Sequence, residues 1–217
     1  MIKKHFSSLQ DWTEACVVQI MESLRNDINR RGHTVLAVPG GRTANCILPV
    51  LAKVDLDWSR MTITLTDERW VKPEHKDSNE RLVRNLLAPV LNRAKFIGLK
   101  TLHDSPDESL AESETHFNDI LPFGCVLLGM GEDGHVASLF PGDMIKHETL
   151  QSTMRDDYPR VSLTPQALLN TSMVVLAVSG KEKCATLEQA FRLGPKTDLP
   201  VRHLLHQERT PVRLFTA

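Results

Sequence analysis

Cysteine is scarce in this chain, and the four present (Cys16, Cys46, Cys125 and Cys184) are scattered. They form no Cys-x-x-Cys pair and have no histidine at metal-ligand spacing. They read as reduced cysteines of core or helix faces, as in a cytosolic enzyme. Long apolar runs are missing too. The opening MIKKHFSSLQDWTEA contains no signal-type segment and no window approaches a membrane span, so a soluble, cytoplasmic protein without a membrane partner is expected. A formal net charge of -1 removes the electrostatic case for nucleic acid, and an anionic small substrate needs local basic groups instead. There is no repeat, no low-complexity tract and no Pro-, Gly- or Ser-rich linker. The 217 residues are therefore expected to form one domain, 1–217. The Walker A and GxGxxG spacings are absent as well.

What is present is a run from Leu127 to Gly142, LLGMGEDGHVASLFPG. Cys125 to Leu128 is an apolar stretch that stops at Gly129-Met130-Gly131, with Gly134 and then His135 behind it. This is the pattern of a buried parallel strand delivering a loop and an ionisable side chain to the carboxyl edge of a sheet. Glycines let backbone approach a ligand closely, and a histidine there suits proton transfer near neutral pH. His5, His33, His75, His103, His116, His147, His203 and His206 have no comparable setting.

Periodicity supplies the rest of the frame. Leu9, Trp12, Cys16, Ile20, Leu24 and Ile28 form one stripe of a helix over Ser7–Arg31, stopped by Gly32. Strands are expected at Thr34–Val38, Met61–Thr66, Phe96–Leu99, Phe123–Leu128, Val161–Leu163, Ser172–Val178 and Val212–Phe215. Further helices are expected over Ala44–Leu56, from Ser78 through Leu87, over Pro106–Leu121 and over Lys181–Phe191. Alternating strands and helices predict an α/β fold, a mostly parallel twisted sheet with helices on both faces.

Ligands of such sheets bind beyond the carboxyl ends of the strands, where four candidate elements fall. Pro39-Gly40-Gly41-Arg42-Thr43 is a possible phosphate cradle of backbone amides, with Arg42 and Thr43 as side-chain donors; a plain strand-to-helix turn is the competing reading. Asp67-Glu68-Arg69 follows a strand directly. Arg69 suits bidentate anion binding and Asp67 is the residue expected to face a cleft, against the alternative of a solvated loop with an internal ion pair. His135 is the third, with Asp133 either orienting its ring or making an Asx turn. The fourth is Gly180-Lys181-Glu182-Lys183, where lysines in a first helical turn oppose the dipole unless an anion is near.

Taken in order, these elements resemble the 6-phosphogluconolactonases, in the wider group that includes the glucosamine-6-phosphate deaminases. The match is carried by Gly40-Gly41-x-Thr43, by Asp67-Glu68-Arg69-Trp70-Val71 with Ser78-Asn79, by Gly129-Met130-Gly131-x-Asp133-Gly134-His135-x-Ala137-Ser138-Leu139-Phe140-Pro141, and by Gly180-x-x-Lys183. A weaker echo is Arg160 to Thr164 with Leu168-Leu169-Asn170. The resemblance implies a Rossmann-like sugar-phosphate isomerase fold, hydrolysis of 6-phosphoglucono-δ-lactone, and no metal or organic cofactor. It makes His135 the general base with Asp133 beside it, and gives Arg69 and Lys183 the phosphate. Gly40, Gly41, Arg42, Thr43, Asp67, Gly131 and Arg160 complete the expected binding set. The implied partner is a small sugar-phosphate lactone, for a monomer or small homo-oligomer.

Two departures stand out. The family's Ser-Gly-Gly-Ser-Thr-Pro is Pro39 to Ala44 here, which removes two hydroxyls and leaves Arg42 as their candidate replacement. Its usual Thr after the histidine is Val136. Backbone N–H groups of the Gly129–Gly134 loop are candidate oxyanion donors. The rivals are a deaminase/isomerase and a non-catalytic sugar-phosphate binder. The deaminases resemble Gly-His-Ile-Ala-Phe-Asn-Glu-Pro where this chain has Gly134 to Pro141, and so lacks their acid.

Overall fold

A computed structural model describes residues 1–145 and 149–217; His147 lies outside the described residues. Seven parallel strands make the main sheet, in the order β1 (Ile2–His5), β10 (Val212–Thr216), β9 (Val174–Val178), β6 (Cys125–Leu128), β2 (Thr34–Val38), β3 (Met61–Leu65) and β5 (Lys95–Ile97). Every residue of β2, β6 and β9 is buried, as strands covered on both faces must be. A smaller antiparallel sheet holds β4 (Asp67–Arg69), β8 (Arg160–Leu163) and β7 (Leu150–Thr153).

The helices are α1 (Leu9–Arg31), α2 (Gly41–Leu51), α3 (Asn79–Leu86), α4 (Pro106–Asn118), α5 (Pro165–Leu169), α6 (Lys181–Ala190) and α7 (Arg202–Leu205). The stripe of α1 is buried from Trp12 to Ile28, while Leu9 lies half exposed. Ser8 caps its start by accepting from the Asp11 N–H, and Gly32 ends it in the left-handed conformation. None of the described helices is long and apolar enough to cross a membrane.

Helix α2 departs from expectation, starting at Gly41 rather than Ala44 and ending at Leu51 rather than Leu56. Pro49 removes a donor from its last turn. The chain then tightens, with Lys53 and Val54 N–H bonding to Val50 and Leu51 carbonyls, so the helix cannot continue. Strand β1 went unread because all four of its residues are exposed and carry no alternation. The sheet gains it as an edge, through parallel pairing to β10.

Strand order decides where a ligand fits. From β2 the chain runs outward through β3 and β5 on one side, then returns to lay β6 on the other. That reversal is the topological switch point. The carboxyl ends of β9, β6, β2 and β3 therefore stand in one row, and each leads into one of the four candidate elements.

Candidate active site

At the head of that row is a cleft of about 650 Å³ of empty volume, counting its open mouth. Its wall takes in Gly40, Gly41, Arg42 and Thr43 from the end of β2, and Asp67 and Arg69 from β4, which follows the end of β3. Gly131 and His135 follow β6, Arg160 comes from β8, and Lys183 from α6. The expected residues thus converge in space, with one exception: Asp133 is not part of the wall and stands behind it, against Gly131 and His135.

The di-glycine turn opens α2. Gly40 is its N-cap and offers no side chain, Gly41 has φ +68°, and the first turn contains no acidic residue. Among the described residues no side chain caps the amides at this helix start, which makes the end electropositive. Space is tight around it. A Cβ on Gly40 would fall inside the Asn79 carboxamide, and one on Gly129 would come within 2.5 Å of Thr43 Oγ1.

Asp67-Glu68-Arg69 is a strand, not the solvated loop with an internal ion pair that competed in the sequence. Asp67 and Arg69 pair with Ser162 and Arg160 of β8. Glu68 is 1% exposed and turns away from the cleft. Its carboxylate accepts from the backbone N–H groups of Arg69 (2.8 Å), Asn79 (2.7 Å) and Glu80 (2.8 Å), and from Ser78 Oγ (3.0 Å). Burial still outweighs these donors and pushes its carboxyl above the ordinary range. Asp67 lines the cleft but is largely engaged, accepting from Ser138 Oγ at 2.6 Å and Thr66 Oγ1 at 3.2 Å. The Arg69 guanidinium donates from one nitrogen to Asn79 Oδ1 (2.6 Å) and to the Asp77 carbonyl (3.2 Å).

The histidine loop is built around its ring. A Cβ on Gly131 would fall inside the imidazole of His135, so only glycine fits. Both readings of Asp133 hold at once. Its Oδ1 accepts the His135 backbone N–H at 3.1 Å, an Asx-type turn, and stands 2.6 Å from Nδ1. That side-chain bond, the largest influence on it, holds the Asp133 carboxyl below its usual range. An ionised carboxylate can only accept, so in the neutral imidazole Nδ1 carries the proton and Nε2 the lone pair. The Phe140 ring packs against the imidazole, centroids 4.5 Å apart. Ala137 adopts φ +50°, a conformation an alanine holds only where its surroundings impose it. The bond from Ser138 to Asp67 and that from Ser138 N–H to Ser162 Oγ (3.1 Å) tie the loop to the small sheet.

The expected set of oxyanion donors in the Gly129–Gly134 loop narrows here. The Gly131 N–H donates to the His135 carbonyl (2.9 Å) and the Gly134 N–H to the Gly131 carbonyl (3.1 Å), so these two amides are spent inside the loop. Of the two lysines, Lys183 reaches the cleft wall while Lys181 is exposed outside it. Arg160 reaches the wall with one guanidinium nitrogen 2.6 Å from Asp157. Asn79 is the polar wall side chain to which the motifs assign no role. Its signal was present in Ser78-Asn79 at a helix start, but its partners are visible only in space. Among the described residues, no three His, Cys, Asp or Glu side chains are grouped to hold a metal ion.

With this geometry in hand, the likeness to known proteins is specific. The family model for glucosamine-6-phosphate isomerases/6-phosphogluconolactonase matches residues 7–212. A 6-phosphogluconolactonase of Caulobacter vibrioides is 37% identical over 225 residues, spanning 98% of this chain and 95% of that protein. One from Pseudomonas aeruginosa is 36% identical over 220 residues, spanning 93% and 92%. The crystal structure of a 6-phosphogluconolactonase from Shewanella baltica OS155 matches 100% of this chain and 98% of that one, with a TM-score of 0.94 and 30% identity.

Proposed function

The chain belongs to the glucosamine-6-phosphate isomerase/6-phosphogluconolactonase family, and on that premise we propose that it hydrolyses 6-phospho-D-glucono-1,5-lactone to 6-phospho-D-gluconate, the second step of the oxidative pentose phosphate pathway. One observation carries this reading. A histidine with a fixed tautomer shares a single sugar-sized cleft with Arg69, Lys183 and the open start of α2.

The chemistry needs little more. A δ-lactone is an activated ester, so water can open it without a covalent nucleophile. His135 Nε2 takes a proton from the attacking water as the bond to C1 forms, and the imidazolium returns it to the departing ring oxygen. Asp133 keeps the ring in register and stabilises its charged form. Arg69, Lys183 and the amides of Gly41 and Arg42 hold the phosphate, and remote binding energy becomes positioning at C1. Asp67, Thr43, Gly131 and Arg160 shape the rest of the sugar pocket.

Phe140 decides against a deaminase. It stands where those enzymes resemble a glutamate, and presents an apolar ring to the imidazole. The whole chain reads as one domain, in keeping with a family match from 7 to 212. Free thiols at all four cysteines accord with a cytoplasmic setting.

The test is turnover. Purified protein should consume the lactone faster than its spontaneous hydrolysis, and His135→Ala should cut kcat by about 10²–10⁴ without loss of phosphate binding. A wild-type rate equal to the spontaneous one would leave the non-catalytic sugar-phosphate binder standing instead.

A further inference from the structure

Three acceptors surround Arg69, and they are not alike. Glu68 is its chain neighbour and the one carboxyl group among them, yet it takes only the Arg69 backbone N–H and spends its other lone pairs on α3. The guanidinium is held instead by two uncharged oxygens, the Asn79 carboxamide at 2.6 Å and the Asp77 carbonyl at 3.2 Å. Asn79 is 2% exposed and fixed from every side. Its backbone N–H is bound by Glu68, its Nδ2 donates to the Asp67 carbonyl at 2.9 Å, and Gly40 leaves just enough room for its head.

We propose that Asn79 is a positioning residue: its carboxamide aims Arg69 at the phosphate beside the Gly40-Gly41 turn without neutralising the guanidinium. The proposal rests on the reading of Arg69 as a phosphate group's partner. A carboxylate at this place would hold the same nitrogen more strongly but cancel the charge an anion needs. An aliphatic side chain would keep the charge and lose the aim. An amide alone donates to Asp67 O, accepts from Arg69 and adds no charge. The same side chain sits under Gly40, so it couples the arginine to the amide cradle of α2.

The experiment compares Asn79→Ala, Asn79→Asp, Arg69→Ala and the Arg69→Ala/Asn79→Ala double variant. KM and kcat are measured with the lactone, and inorganic phosphate serves as a competitive inhibitor. Asn79→Ala should raise KM and the phosphate Ki by about tenfold, the loss of one charge-assisted hydrogen bond, with kcat changed far less. Asn79→Asp, which keeps the volume, should raise the phosphate Ki further than Asn79→Ala. The double variant should bind phosphate no worse than Arg69→Ala alone.

An unchanged Ki in Asn79→Ala, or the same added penalty with and without Arg69, would overturn the positioning role. Phosphate binding by Asn79→Asp at least as tight as by Asn79→Ala would overturn the charge argument. If the alanine variant does not fold, Asn79→Asp is set against wild type instead, and phosphate binding at least as tight as that of wild type overturns the charge argument. If Arg69→Ala itself leaves KM and Ki unaltered, the phosphate reading of Arg69 fails first, and the role of Asn79 with it.

Discussion

The helix starts of α2 and α3 are neighbours, joined where Asn79 packs under Gly40, but the protein finishes them in opposite ways. At α3 a hydroxyl and a carboxylate fill the end. Ser78 accepts from the Arg81 N–H, and Glu68 takes the N–H groups of Asn79 and Glu80. At α2 a glycine stands at the cap, and among the described residues no side chain fills the end. Apart from short α7, whose start is also uncapped, the other helices divide in the same way. Ser8, Ser105 and Thr164 cap α1, α4 and α5, whereas α6, which brings Lys183 to the cleft, starts on a bare Gly180. Every helix start carries partial positive charge. Where the protein spends it on its own acceptors it gains stability, and where it leaves the charge open beside the cleft it keeps a place for an anion.

This contrast can be broken at either end. The largest effect is expected at the filled one. Glu68→Ala strands buried N–H groups of Asn79 and Glu80, which costs about 3 kcal/mol. The thermal midpoint should fall by roughly 10 °C, the scale for a chain of this size. A midpoint within a degree or two of wild type would mean that α3 does not depend on this carboxylate.

A matched pair sharpens the comparison. Ser78→Ala removes a hydroxyl cap at a cost of about 1 kcal/mol, and Gly41→Ala forces alanine into a left-handed backbone at about 1–2 kcal/mol. The stability losses, read from denaturant midpoints, should be similar. The effects on phosphate inhibition should not be, because only Gly41→Ala distorts the open end. Equal losses of phosphate affinity in both would erase the functional difference between the two helix starts.

The smallest effect is in pH. Glu68 holds its proton more tightly folded than unfolded, since burial raises its carboxyl above the ordinary 4.5. Between those two values the folded state binds the proton and the unfolded state does not, so this group's contribution to stability falls as pH rises and grows as pH drops toward 4.5. Glu68→Gln lacks the titration. The stability of wild type relative to Glu68→Gln should therefore increase on acidification from pH 7 to 4.5, by urea unfolding. A difference that shrinks instead would show that the hydrogen bonds outweigh burial at Glu68.

Much of this was legible beforehand, for a physical reason. Strand stretches buried on both faces, such as Val35–Val38 and Cys125–Leu128, are apolar throughout, and the glycines that follow them are required by close packing at Gly40, Gly129 and Gly131. What escaped was non-local. Asp67–Arg69 has no strand pattern of its own and becomes one by pairing with Arg160–Ser162, far along the chain. The Gly131 and Gly134 amides looked free in the sequence and are consumed by carbonyls of their own loop.

The order of residues alone determined six of the seven strands of the main sheet, the carboxyl ends of β2, β6 and β9, and which ionisable side chains stand beyond those ends, because burial and backbone freedom constrain residue type position by position. The tertiary structure alone decided that Lys183 rather than Lys181 reaches the cleft, that Glu68 turns inward while Arg69 does not, and that Asn79 sits between the arginine and the glycine turn. Those outcomes depend on which donors and acceptors the fold brings together, and chain neighbours are seldom the partners a buried polar group finally uses.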